Sequence, residues 1–196
     1  MCIRDRNKSN KAIKYRLYPN DEQKVMFAKT FGCCCFVYNQ LLALQKQRYK
    51  DGESHLSKLK SNEFATRTLK KDYDFLKEID KFAVSNAVFH LADAYDRFFK
   101  KQNHFPKFKS KRKSKKSYTT NFTNNNILIG KNVIKLPKVG MVKAVIHKLP
   151  KDDWKLKSVT VSQDSVGNYF ASVLFEYEQE DIPSVSKSST NSIGLD

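Results

Sequence analysis

Hydrophobic positions recur every second residue near the start of the chain, every third or fourth through its middle, and every second again further on. In residues 11–18, Ile13, Tyr15 and Leu17 fall on one face and Lys14, Arg16 and Tyr18 on the other. That is the pattern of a half-buried strand with a basic outer side. Pro19 and Asn20 stop it, and Asn20 followed by Gln23 is a capping-box signature that opens a helix. Its apolar contributors are Val25, Phe27, Phe31, Cys34, Tyr38, Leu41, Leu42 and Tyr49. Gly32 is positioned to bend this helix or split it in two, and Asp51-Gly52 ends it. A weaker helical pattern covers residues 56–76, with Leu59, Phe64, Leu69 and Phe75 set among lysines. The strongest helix comes next: Phe82, Val84, Ala87, Val88, Leu91, Ala94, Tyr95, Phe98 and Phe99 recur at spacings of three and four. It stops short of Pro106, because the residue before a proline is pushed out of helical geometry.

That helix feeds Lys107-Phe-Lys-Ser-Lys-Arg-Lys-Ser-Lys-Lys116, seven cations in ten residues, and then the polar run Ser117-Tyr-Thr-Thr-Asn-Phe-Thr-Asn-Asn-Asn126. Short alternating segments follow at 127–130, 133–136, 139–147, 156–163 and 168–178. In the fourth, Leu156, Ser158, Thr160 and Ser162 face one way and Lys157, Val159 and Val161 the other. Gly167-Asn168 supplies a hairpin turn before the last. Residues 181–191 have the Ser-rich, Pro-containing composition of a linker. Residues 192–196 look like a strand cut off at its start, and residues 1–10 like a disordered or non-native leader. The predicted class is α+β: a small antiparallel β-barrel, built from residues 11–19 and 105–180, interrupted after its first strand by a helical lobe over residues 20–104.

Charge sharpens this picture. Lys and Arg number 37 against 20 Asp and Glu, a formal charge of +17, which attracts polyanions and speeds their encounter. With 40% hydrophobic and 12% aromatic residues the chain can bury a core, which argues against wholesale disorder. No apolar run approaches the roughly 20 residues of a membrane span, and no secretory apolar segment stands near the start. Cys33, Cys34 and Cys35 are consecutive and Cys2 is distant, a spacing that suits packing in a reducing cytoplasm better than metal binding. His55, His90, His104 and His147 have no ligand-like spacing, and Trp154 is expected to pack. The run of residues 107–116 is a phosphate-binding segment in character, through Lys107, Lys109, Lys111, Arg112, Lys113, Lys115 and Lys116. Backbone charge is the same for every base, so this run positions nucleic acid without reading it.

Several ordered motifs carry a resemblance. They are Lys14-Tyr-Arg-Leu-Tyr-Pro19 with Glu22-Gln23, Phe36-Val-Tyr-Asn39, Asp80-Lys-Phe-Ala83, Ala94-Tyr95 with Phe98-Phe99, and Phe105-Pro-Lys-Phe-Lys109. Phe122-Thr-Asn-Asn-Asn-Ile127, Lys135-Leu-Pro-Lys138 and Ile193-Gly-Leu-Asp196 follow in order. Together, over about residues 11–196, they resemble the N-terminal part of TnpB (OrfB), the RNA-guided nuclease of certain bacterial insertion sequences and a relative of type V CRISPR effectors. The resemblance implies a wedge or OB-like barrel around a helical recognition lobe, in a cytoplasmic, nucleoid-associated prokaryotic protein. It implies guide RNA and a double-stranded DNA target as partners. It implies that Lys81, Phe82, Ser85, Asn86 and Thr123 face a short DNA motif beside the target, and that Arg16 touches nucleic-acid backbone. Asp196 would be the first carboxylate of a RuvC-like nuclease domain. Two-metal cleavage needs further carboxylates, which the family supplies downstream together with a zinc ribbon. No Mg or Zn cofactor is therefore expected for this fragment, and it is not expected to be an enzyme by itself. One departure stands out: Cys35 precedes Phe-Val-Tyr-Asn where the family commonly has an Arg. Two other readings stay open: a helix-turn-helix DNA-binding module around Gly32 acting without RNA, or an RNA-associated structural protein relying on charge alone. Oligomeric state is not readable from the sequence.

Overall fold

The fold is described from a computed structural model covering residues 8–110 and 113–178. The calls on the leader (its first seven residues), Lys111, Arg112, the linker and Asp196 lie outside the described residues. Strand β1 (Lys8–Tyr18) leads into helix α1 (Asp21–Lys50). Asn20 caps that helix as predicted: its side chain accepts from the Gln23 amide while the Gln23 side chain accepts from the Asn20 amide, at 2.9 and 3.1 Å. The Gln23 amide nitrogen also donates to the Met141 carbonyl, fastening the start of α1 to the later strands.

Helix α1 is not divided at Gly32; it runs unbroken for 30 residues. By length and composition it could cross a membrane, yet half of its most apolar window is buried against the rest of the fold. The weak pattern after it resolves into α2 (Lys58–Glu63), a π-helical stretch (Phe64–Leu69), α3 (Lys70–Asp72) and α4 (Phe75–Glu78). Leu69 and Leu76 are buried there, whereas Leu59 and Phe75 are exposed, so two of the apolar positions anticipated for this lobe contribute little to its core. Helix α5 (Lys81–Phe99) buries Ala83, Val84, Ala87, Val88, Leu91 and Tyr95, and leaves Phe99 in solvent.

The chain then forms β2 (Lys116–Asn121), β3 (Leu128–Ile129), β4 (Val133–Leu136), β5 (Gly140–Val145), β6 (Lys155–Gln163) and β7 (Tyr169–Glu178). All seven strands share one antiparallel sheet in the order β2-β6-β7-β1-β5-β4-β3. The isolated first strand is thus central, with Arg16 opposite Phe170 on one side and Val145 on the other. Loop-closure entropy rises only logarithmically with length, so a long helical insertion between β1 and its partners is tolerated. The ladder is open, with β2 and β3 as its edges.

One face of the sheet is buried. Ile13, Tyr15 and Leu17 meet Ile134, Val142, Val159, Val161, Ala171, Val173 and Phe175 in a single core with the helices. Phe27 of α1 lies 5.4 Å from the Tyr169 ring and 6.3 Å from Tyr118, which joins helix to sheet through aromatic contact. Trp154 packs as expected, 5.3 Å from Tyr177 and 5.6 Å from Phe175. Two details differ from the alternation read in the sequence. A register shift between Leu156 and Ser158 leaves Lys157 exposed, although plain alternation puts it with Val159. The run beginning at Ser117 contains a true strand, β2, whose buried positions are Tyr118 and Thr120. A threonine is tolerated inside because its hydroxyl donates to the buried Asp80 carboxylate at 2.6 Å. Asp80 stands at the N-cap of α5 but makes no capping bond with its side chain.

Candidate nucleic-acid interface

The described part of the cationic run is held against α1 as a strap. Asn39 makes the decisive contact: its amide nitrogen donates to the Lys109 carbonyl and its oxygen accepts from the Lys109 amide, both at 2.8 Å. A side-chain amide matches a peptide group in this way because each carries one donor and one acceptor. The Lys109 ammonium lies 4.1 Å from the centre of the Tyr38 ring, and burial lowers its pKa below the ordinary lysine value. Next to it, Ser110 and Ser114 close a turn: the Ser110 amide donates to the Ser114 hydroxyl and the Ser114 amide to the Ser110 carbonyl. Upstream, Lys46 sits over the Phe105 and Phe108 rings. Of the cations the sequence singles out, Lys107, Lys113, Lys115 and Lys116 are exposed on the strap. Lys109 instead turns half inward, and Lys116 also donates to Gln163 on β6.

A second cluster joins the start of α5 to the turn after β2. The Asn86 amide donates to the Thr119 carbonyl (2.9 Å) and to the Asn121 side-chain oxygen (3.2 Å). Asn126 donates to the Asn121 carbonyl and accepts from the Thr123 amide. Asn124 and Asn125 have φ of 46° and 54°, a left-handed conformation that asparagine tolerates better than most residues. Asn86 and Thr123, distant in sequence, therefore belong to one small amide network. Its two Asn86 bonds fix α5 on β2, so that amide nitrogen is engaged internally. Lys81 is exposed beside Phe82, and Ser85 is half-buried on the same helical turn.

Arg16 lies on the outer face of the sheet. Its guanidinium covers Phe170 at 5.0 Å, donates to the Asn168 side chain, and shares the Phe170 ring with Lys14 at 4.2 Å. Among the described residues no group of three or more His, Cys, Asp or Glu side chains is arranged to hold a metal ion.

Sequence reasoning attached no role to Asn39. A signal existed: an asparagine inside a helix competes poorly with better helix formers unless its side chain has a partner elsewhere. Lys29, which pairs with Glu78 at 2.8 Å, and Gln163 were also passed over; both come to the strap only through tertiary structure.

The α+β fold sets its first strand at the centre of the sheet and carries a cluster of exposed cations on one strap, and its N-terminal segment is of a transposon-encoded class. Residues 9–54 match the family model for the helix-turn-helix domain of OrfB from IS605 elements; here that segment comprises β1, α1 and the Asp51-Gly52 turn. Over 188 residues the chain is 29% identical to a protein of Streptomyces pristinaespiralis provisionally named an RNA-guided DNA endonuclease, covering 95% of this chain and 45% of that protein. The InsQ protein of Escherichia coli K12, named in the same way, is 29% identical over 192 residues, covering 94% of this chain and 44% of InsQ. The virulence protein VsdF of Salmonella dublin is 32% identical over 111 residues, which are 52% of this chain and 93% of VsdF. The chain belongs to the OrfB (TnpB) family of insertion-sequence proteins. It spans a little under half the length of the two endonuclease-named relatives.

Proposed function

We propose that this chain is the nucleic-acid-binding N-terminal part of an RNA-guided DNA endonuclease, binding the guide RNA and the DNA motif beside the target. The strap carries the proposal. Asn39 holds it by its backbone, so the exposed Lys107, Lys113, Lys115 and Lys116 side chains are left for phosphate. DNA contact is assigned to Lys81, Phe82, Ser85 and Thr123 around the Asn86 network, with Asn86 acting chiefly as the residue that fixes this edge. Arg16 adds a backbone contact from the sheet. A wedge-like barrel is the finer architecture proposed for this open, helix-backed sheet. Cleavage belongs to a nuclease domain opening at Asp196, with Mg and Zn in the full-length family; this region by itself is proposed to bind without cutting.

The test is co-expression of the chain with the flanking sequence of its encoding locus, followed by purification and sequencing of bound RNA. A discrete structured RNA, with duplex DNA retained only in its presence, is the expected result. Tight binding of a DNA duplex by RNA-free protein overturns the reading and favours the helix-turn-helix alternative. Retention of bulk RNA without selectivity favours the charge-driven one.

A further inference from the structure

Between α1 and the strap lies a cleft of about 680 Å³, within the roughly 300–1,000 Å³ typical of small-ligand sites. Its inner wall is apolar, contributed by Ala28, Phe31, Gly32 and Phe36. Its rim is cationic and hydroxyl-bearing, with Lys115 and Lys116 beside Ser114 and Ser117. Gly32 borders free space there: a Cβ added to it meets nothing within 4 Å, so a longer side chain has room to enter. Glycine inside a helix is disfavoured, so its position at the middle of α1 calls for a reason other than helix formation.

An apolar floor with an ammonium and hydroxyl rim suits a ligand that is flat and apolar at one end and anionic at the other. A nucleotide has that form. The rim continues into the exposed lysines of the strap, which extends the phosphate track beyond one residue and points to a polymer. The Asn39 amide, the most obvious base-reading group nearby, is already paired with Lys109, so the cleft would accept a base without identifying it. Building on the RNA-binding role proposed above, we infer that this cleft takes one unpaired nucleotide of an RNA strand, base against the Gly32 wall and phosphate at the Lys115–Lys116 rim.

The test uses the full chain with three probes: 5′-labelled decauridine, a blunt RNA duplex of the same length, and decathymidine. Gly32→Met fills the cleft without touching a cation, and Gly32→Ala adds a single methyl as its control. Gly32→Met is expected to keep its thermal midpoint and lose at least tenfold in decauridine affinity, with duplex affinity changed less than twofold; Gly32→Ala is expected to stay within threefold of wild type. Bound decauridine is also expected to slow alkylation of Cys35, which lines the cleft, at least fivefold by peptide mass spectrometry. Unchanged decauridine binding by folded Gly32→Met, or alkylation of Cys35 at the same rate with and without RNA, overturns the cleft assignment while leaving RNA binding by the strap intact. Tighter binding of decathymidine than of decauridine overturns the assignment to RNA. If wild type binds none of the probes at low salt, the RNA-binding role itself falls.

Discussion

Replacing Asn39 by alanine tests whether the strap is held where the structure has it. The substitution removes two hydrogen bonds of 2.8 Å to the Lys109 peptide and changes no charge. At about 1 kcal/mol net each, the two bonds hold the strap by about 2 kcal/mol, which is roughly a 30-fold change in local opening. The loss stays local, because the freed Lys109 amide and carbonyl can reach water once the strap lifts. Hydrogen exchange read residue by residue is the suitable assay. In Asn39→Ala the Lys109 amide is expected to exchange about 30-fold faster, while amides of the β1–β7 ladder keep wild-type rates. Lys109→Ala is the companion variant: it removes the ammonium over Tyr38 but keeps the peptide pairing, and should accelerate exchange by less than tenfold. Unchanged protection of Lys109 in Asn39→Ala would refute the clamp. Equal acceleration across the sheet would show instead that the variant unfolds globally.

Other outcomes follow from single contacts. Thr120→Val leaves the buried Asp80 carboxylate without its donor and should cost about 1–3 kcal/mol in urea unfolding; a variant as stable as wild type would mean that another group satisfies Asp80. Burial pushes the Cys34 thiol up to about 12, well above the ordinary thiol value near 9. The unfolded chain therefore releases this proton from about pH 9 while the fold retains it, so stability should decline as pH rises from about 9 towards 12, and Cys34→Ala should flatten part of that decline in denaturant titrations.

Much of the frame was legible because periodicity reports burial. Ile13, Tyr15 and Leu17 fixed the face of β1, and Asn20 with Gln23 fixed the start of α1, since capping is local chemistry. The extension of β1 back to Lys8 was not legible, because its outer residues are polar and their pairing to Glu178 is a property of β7. Strand β2 was hidden for a similar reason: Thr120 looks solvent-facing until Asp80 arrives from α5 to pair with it. Gly32 was read as a place to bend or split the helix, yet the helix continues through it, since a single glycine costs a long packed helix little. The cations were visible as a run, but their separation into exposed Lys107, Lys113, Lys115 and Lys116 and inward Lys109 depends on Asn39, far away in sequence.

The most direct measurement is the salt dependence of RNA affinity for the wild-type chain and for a variant with Lys107, Lys113, Lys115 and Lys116 all changed to Gln. With each phosphate contact contributing about 0.7–0.9 to the slope of log K against log salt, the four together should flatten it by about 3. A slope equally steep in both proteins, or wild-type affinity that does not change with salt, would contradict the strap as the seat of binding.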